Sequence, residues 1–131
     1  MPNPALPCPF CELDPERIWM ENAHALALRD GYPVAEGHML VIPRRHYESL
    51  FDAPAEEGAA VWALVREARQ RLARDLSPDG FTVGINDGEA AGQTVMHTHI
   101  HIIPRWWGDV ADPRGGIRWV IPEKARYWIE E

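Results

Sequence analysis

The sequence predicts an α+β fold, an antiparallel sheet of about five strands carrying one long helix. Two observations lead there. Short apolar stretches arrive in hairpin-like pairs separated by turn formers, and only one long stretch has helical periodicity. A doubly wound parallel sheet would need strand and helix to alternate along the whole chain, and they do not. With 131 residues, 46% of them apolar, the chain is long enough to close one core and too short for a second domain. A single domain over 1–131 is therefore expected.

In chain order, "ALALR" (Ala25–Arg29) and "MLVIP" (Met39–Pro43) read as strands, joined by the turn-rich "DGYPVAEGH". From Pro54 to Leu76, Val61, Leu64, Val65, Ala68 and Leu72 recur at helical spacing. Asp52 is the expected cap of this helix, Glu56 and Glu57 suit the positive end of its dipole, and "SPDG" stops it. "FTVGI" (Phe81–Ile85) is a third strand, ended by "NDGEAAG". A fourth is expected from Val95 to about Pro104, and a last short one around Ile117–Ile121 inside an aromatic tail, 105–131.

Charge and composition narrow the function. Thirteen basic against twenty acidic side chains give −7, which argues against a broad basic surface for DNA or RNA. A local pocket can still bind a small phosphorylated ligand. No apolar run is long enough to span a membrane. "MPNPALPCPFC" lacks the charged and apolar regions of a signal peptide, so a cytoplasmic address is expected. Cys8 and Cys11 are too close and too few to staple a secreted fold.

The most informative stretch is "MHTHIHIIPR", Met96–Arg105. On a strand, His97, His99 and His101 project together while Thr98, Ile100 and Ile102 point the other way. Side-by-side imidazoles repel when charged, so a face without a function is a poor explanation. Two chemistries remain open. The histidines can hold a catalytic metal and activate water. Alternatively, one is a covalent nucleophile and its neighbours orient it and move protons. Just upstream, "NDGEAAGQTV" supplies Gly88 and Gly92 for close backbone approach, with Gln93 and Thr94 as polar groups facing a phosphate.

Together, "GQTVMHTHIHIIPR" and the earlier "GYPVAEGHMLVIPRRH" resemble the histidine triad (HIT) family of nucleotide hydrolases and transferases. The resemblance runs from Cys8 to Arg105. It implies that His99 attacks an α-phosphorus to form a nucleotidyl-histidine that water cleaves, with His101 assisting proton transfer. Neutral imidazole is a competent nucleophile near pH 7. Transferases of the family tend to carry glutamine at the third histidine position; histidine here favours hydrolysis. Asn86, Gln93 and Thr94 match positions that contact phosphate or leaving group. Asp30 falls where the family places a group on the ribose hydroxyls, although an Asp before Gly31 is also an ordinary turn former. His38 matches a position near the active site, or is simply a histidine at a strand start.

"CPFC" resembles the redox motif of thioredoxins and glutaredoxins, but that motif needs a preceding strand and a following helix. Seven residues precede Cys8, three of them proline. The other reading is half of a zinc site. Many bacterial relatives in the resembled family pair such cysteines with two histidines, here His46 and His97. This implies one structural zinc per chain on Cys8, Cys11, His46 and His97, and no organic cofactor. It also sets a tension, since His97 is counted in the catalytic triad as well, and a metal ligand is not a free general acid.

Four of the six tryptophans follow the triad, a density suited to a core or an interface. Arg105, Arg114 and Arg118 either reach distal phosphates or are solvated charges. "GGIRWVIPEK" resembles the C-terminal region of a dinucleoside polyphosphate hydrolase-like branch. The expected protein is a homodimeric purine-nucleotide hydrolase. The competing readings are a zinc-stabilised nucleotide-binding module without turnover, a nucleotidyl transferase or phosphorylase, and a metallohydrolase with its metal on the triad.

Overall fold

The computed structural model describes residues 8–128. The sequence readings at 1–7 and 129–131, including both ends of the single-domain expectation, lie outside them. The sheet has five strands: β1 (Ile18–Glu21), β2 (Ala25–Arg29), β3 (Met39–Pro43), β4 (Gly80–Ile85) and β5 (Ile100–Arg105). Their order is β1-β2-β3-β5-β4, every neighbour antiparallel. One long helix, α1 (Ala55–Leu76), crosses one face, and a single turn, α2 (Pro122–Ala125), closes the tail. The α+β expectation holds. No helix among the described residues is long and apolar enough to cross a membrane.

The two sheet faces carry different loads. Ala25, Ala27, Met39, Val41, Ile100 and Ile102 pack against Val61, Leu64, Val65, Ala68 and Leu72, the helical stripe that the sequence periodicity picks out. Leu26, Leu28, Leu40 and Ile42 face the other way, where Phe10, Leu13 and Ile18 cover them. Continuous burial of β2 and β3 follows from these two covers. α1 ends where expected, with Ser77 in the left-handed conformation at φ 48° and its N–H on the Ala73 carbonyl. Gly37 is forced: its φ is +78°, and a Cβ there would meet Leu76 Cδ1 at 2.5 Å.

Three sequence expectations are corrected. The stretch Ile117–Ile121 is not a strand. Gly115 and Gly116 at positive φ turn the chain into a 3-10 helix over Gly116–Val120, and Pro122 opens the next turn. The fifth strand is Ile18–Glu21 instead, a short edge strand with a bulge between Ile18 and Met20. Asp52 does not cap α1. It ends a 3-10 turn capped by Ser49, and the α1 N-cap position is Pro54, without a side-chain cap. The triad strand starts at Ile100, not Val95, so only His101 lies on β5.

Candidate functional site

β5 pairs with β3 only from Val41↔Ile100 onward, and the preceding turn leaves the ladder for a physical reason. The Pro43 carbonyl is taken by the His97 ring, and the Thr98 N–H donates to the Tyr47 carbonyl at 2.7 Å. Tyr47 is itself held: its hydroxyl donates to buried Glu57 in the first turn of α1, 2.8 Å away, and Arg45 donates to the same carboxylate. The histidine segment is thus suspended from α1 and from the end of β3. Leu40 is opposite His101, and opposed residues share a face. His101 therefore projects from the face away from α1, the one covered by the Cys8–Leu13 segment.

Main-chain partners fix the protonation pattern of the histidines. A carbonyl only accepts, so His97 carries its hydrogen on Nε2, donating to the Pro43 carbonyl at 2.8 Å. By the same logic His99 carries its hydrogen on Nδ1, donating to the His97 carbonyl at 2.9 Å, and its Nε2 keeps a lone pair. An N–H only donates, so the Val34 N–H at 3.1 Å makes His38 Nδ1 an acceptor. His38 Nε2–H then donates to His101 Nδ1 at 2.9 Å, which leaves the hydrogen of His101 on Nε2. Burial, foremost, lowers the pKa of both His38 and His101; the charge on His99 and His38 lowers His101 further, while Asp30 opposes the shift in each. Both rings stay neutral near pH 7.

Asp30 joins this group. Its Oδ1 accepts the Tyr32 N–H at 2.8 Å, the turn that its position before Gly31 suggested. Its Oδ2 lies 3.3 Å from His38 Nε2 and 3.8 Å from His101 Nδ1. Ligand atoms of Asp30, His38 and His101 fall within 4.8 Å of one another, but the donor–acceptor pair at 2.9 Å is satisfied as a hydrogen bond. Asp30 also lines two adjoining clefts, of about 820 and 330 Å³, that it shares with Trp19 and Arg29.

The second cluster is Cys8, Cys11, His46 and His97, again with all four ligand atoms within 4.8 Å of one another. His97 Nδ1 is 3.5 Å from each sulfur, and His46 Nδ1 is 3.3 Å from Cys11 Sγ. Tetrahedral zinc with ordinary Zn–S and Zn–N bonds sets neighbouring ligand atoms ~3.4–3.8 Å apart, so the donor set fits that ion closely. The Pro43 carbonyl supplies the outer partner that turns the His97 lone pair toward the thiols. Desolvation first, then the Cys8 hydrogen bond and charge, push the Cys11 thiol up to about 11; a cation between the sulfurs is what would let both ionise.

The structure resolves the tension at His97. Its ring is fully buried and both nitrogens are directed, one at a carbonyl and one at the thiols. No ring nitrogen is left to face a substrate, so its place among the catalytic side chains is corrected. It reaches the site through its carbonyl, on His99. Gln93 is corrected too. Buried at 2% exposure, it accepts the Gly88 N–H and donates to the carbonyls of Glu48 and Val95, while its own N–H donates to Gly88. It holds the loop together and has no free amide for a phosphate. Asn86 and Thr94 remain exposed, and the register Ile85↔Ile100 makes Asn86 and His99 the next residues along their strands.

The tail arginines have partners as well. Arg105 forms a two-pronged pair with Asp109 and donates to Thr82, Arg114 pairs with Asp112, and Arg118 donates to the carbonyls of Lys124 and Ala125. The sequence left distal phosphates and solvated charge open for them; in the structure these guanidinium groups bond to the chain itself. Phe10 stood in the sequence only as the aromatic of "CPFC", and its contact with the triad was not foreseen. Its ring meets those of His97 and His99 edge-on, with centroids 5.8 and 5.4 Å apart.

The HIT domain profile matches residues 13–106. Adenylylsulfatase HINT3 of Arabidopsis thaliana is 36% identical over 102 residues, covering 75% of this chain and 52% of that protein. Among solved structures, a hypothetical histidine triad nucleotide-binding protein from Sulfolobus tokodaii superposes with a TM-score of 0.72 at 35% identity, covering 80% of this chain and 73% of the other. A zinc-bound histidine triad family protein from Mycobacterium smegmatis gives 0.65 at 38% identity, covering 71% and 68%.

Proposed function

The chain belongs to the HIT domain family, and from that premise we propose that it is a nucleotide hydrolase acting through a nucleotidyl-histidine at His99. The observation that carries this reading is the bond from His99 Nδ1–H to the His97 carbonyl, which leaves Nε2 bare. In the first step Nε2 attacks the α-phosphorus, an N–P bond forms, and the bond to the leaving group breaks. His101 serves as the acid in its charged form: with a second proton taken from solvent, a form that the nearby Asp30 carboxylate favours, it donates Nε2–H to the departing group and is left as a neutral ring. In the second step water cleaves the N–P bond, and the bare Nε2 of that neutral ring takes the water's proton. An amide cannot do this, which favours water over other acceptors.

Substrates of this reading are purine nucleoside monophosphates joined at the α-phosphorus through a phosphoanhydride or phosphoramidate. The adenylylsulfatase name of the Arabidopsis relative adds a mixed phosphate–sulfate anhydride to that class. Asn86 and Thr94 stand exposed at the loop beside His99, available to the phosphate or leaving group. Asp30 Oδ2, beside His38 and His101, is the acceptor that would meet the ribose hydroxyls. Cys8, Cys11, His46 and His97 would hold one zinc ion, which closes the fold there and supplies no step of the reaction. A cytoplasmic homodimer completes the reading, with the exposed apolar side chains of the tail, Ile117, Val120 and Ile121 among them, as its interface. A panel of adenosine phosphoramidates, dinucleoside polyphosphates and adenylylsulfate, assayed with and without chelator, tests it. Turnover of none, with nucleotide still bound, would favour a binding module.

A further inference from the structure

Phe10 sits between the two cysteines of "CPFC", in a turn closed by the Glu12 N–H on the Cys8 carbonyl and by the Cys11 N–H on Cys8 Sγ. Its backbone is therefore held by a thiol two residues before it and another one residue after. Its ring leaves that turn, packs onto Leu26, Leu28, Leu40 and Ile42, and meets His99 edge-on at 5.4 Å and 73°. Among the described residues, one hydrogen bond and two ring contacts bear on the His99 ring: the His97 carbonyl at Nδ1, the His101 ring at 5.2 Å, and Phe10. The carbonyl bond fixes one nitrogen but lets the ring swing about it. Phe10 and His101 limit that swing.

We propose that Phe10 is a positioning residue that carries the fixed geometry of the Cys8/Cys11/His46/His97 cluster to the His99 ring, so that the aim of Nε2 depends on the cluster being closed. The inference rests on His99 as the nucleophile. Its physical basis is that an attacking atom must meet phosphorus in line and at close range, so a small loss of aim costs much rate and little affinity. A T-shaped contact between two rings is directional, whereas an aliphatic side chain of similar size only fills space.

The test compares wild type, Phe10→Leu and Phe10→Tyr. It uses three readouts: bound zinc, the carbon-13 and proton signals of the His99 imidazole, and rapid-quench formation of the nucleotidyl-enzyme from adenosine 5′-phosphoramidate labelled at phosphorus. Phe10→Leu is expected to keep its zinc, shift the His99 ring signals and form the adduct at least about tenfold more slowly with KM nearly unchanged. Phe10→Tyr, which keeps the ring, is expected to recover most of the rate. Wild type stripped of zinc in the cold is expected to show the same displaced His99 signals as Phe10→Leu. Adduct formation at the wild-type rate in Phe10→Leu, or unmoved His99 signals in either the variant or the stripped protein, overturns the proposal. If wild type forms no adduct at all, the nucleophile assignment falls, and the imidazole signals still decide whether Phe10 holds the His99 ring.

Discussion

Replacing Gln93 by alanine separates its role as a strut from contact with substrate. The side chain makes three hydrogen bonds to main chain, with the Gly88 N–H at 2.8 Å and the carbonyls of Glu48 and Val95 at 2.8 and 3.1 Å. The residue is 2% exposed, so the space left by truncation gives those groups little room for replacement water. At ~1 kcal/mol net per bond, the loss is about 3 kcal/mol. For a chain between the usual small and large domain sizes that is roughly 10–15 °C in unfolding temperature. Gln93→Glu is a sharper probe, because it keeps the acceptor for Gly88 while setting an acceptor-only oxygen against two carbonyls. Calorimetry on both variants measures the stability loss. Below the transition, KM for a nucleotide substrate should change by less than about threefold, because the amide does not reach the ligand. A variant with wild-type unfolding temperature and a KM raised tenfold or more would show that Gln93 binds substrate and that the strut reading is wrong.

Three further outcomes are expected. Since burial lowers the pKa of His38 and His101 in the folded state, the unfolded chain takes up more protons as pH falls through about 6.5. Stability should therefore be full above that pH and decline below it; an unfolding temperature flat from pH 7.5 to 5.5 would contradict this. Metal analysis should find one zinc per chain, and chelation should lower the unfolding temperature more than it alters single-turnover chemistry; a chain without zinc that is stable and unmoved by chelator would reject the site. His101→Gln should slow hydrolysis and let the nucleotidyl-enzyme accumulate, whereas unchanged hydrolysis would show that His101 does not relay the water's proton.

Much of the fold was legible because its signals are local. The α1 stripe, Val61 to Leu72, and the apolar runs of β2 and β3 each announce their own burial. The errors arose where a short apolar pattern has two readings. Ile117, Val120 and Ile121 sit three and four residues apart, a helical spacing inside a stretch too short to decide, and Gly115–Gly116 settled it. "IWME" is four strand residues with an irregular register, held as an edge by its pairing with β2 rather than by its own pattern. At the site, residue types and spacing pointed to the histidines and cysteines that the fold brings together. What could not be read was who satisfies whom. The Pro43 carbonyl that fixes His97, the backbone partners that immobilise Gln93, and the Phe10 edge on His99 all come from segments distant in sequence, and none leaves a mark of its own in the chain.

The central claim is that His99 Nε2 forms a covalent bond to the α-phosphorus, and rapid quench of wild type and His99→Ala with a nucleotide labelled at that phosphorus tests it most directly. Wild type should give a labelled, acid-labile and base-stable protein within one turnover, with the label on a peptide containing His99. The alanine variant should bind nucleotide, stay folded and carry no label, with turnover lower by several orders of magnitude. Turnover by His99→Ala near the wild-type rate, or label on any other residue, would contradict the account.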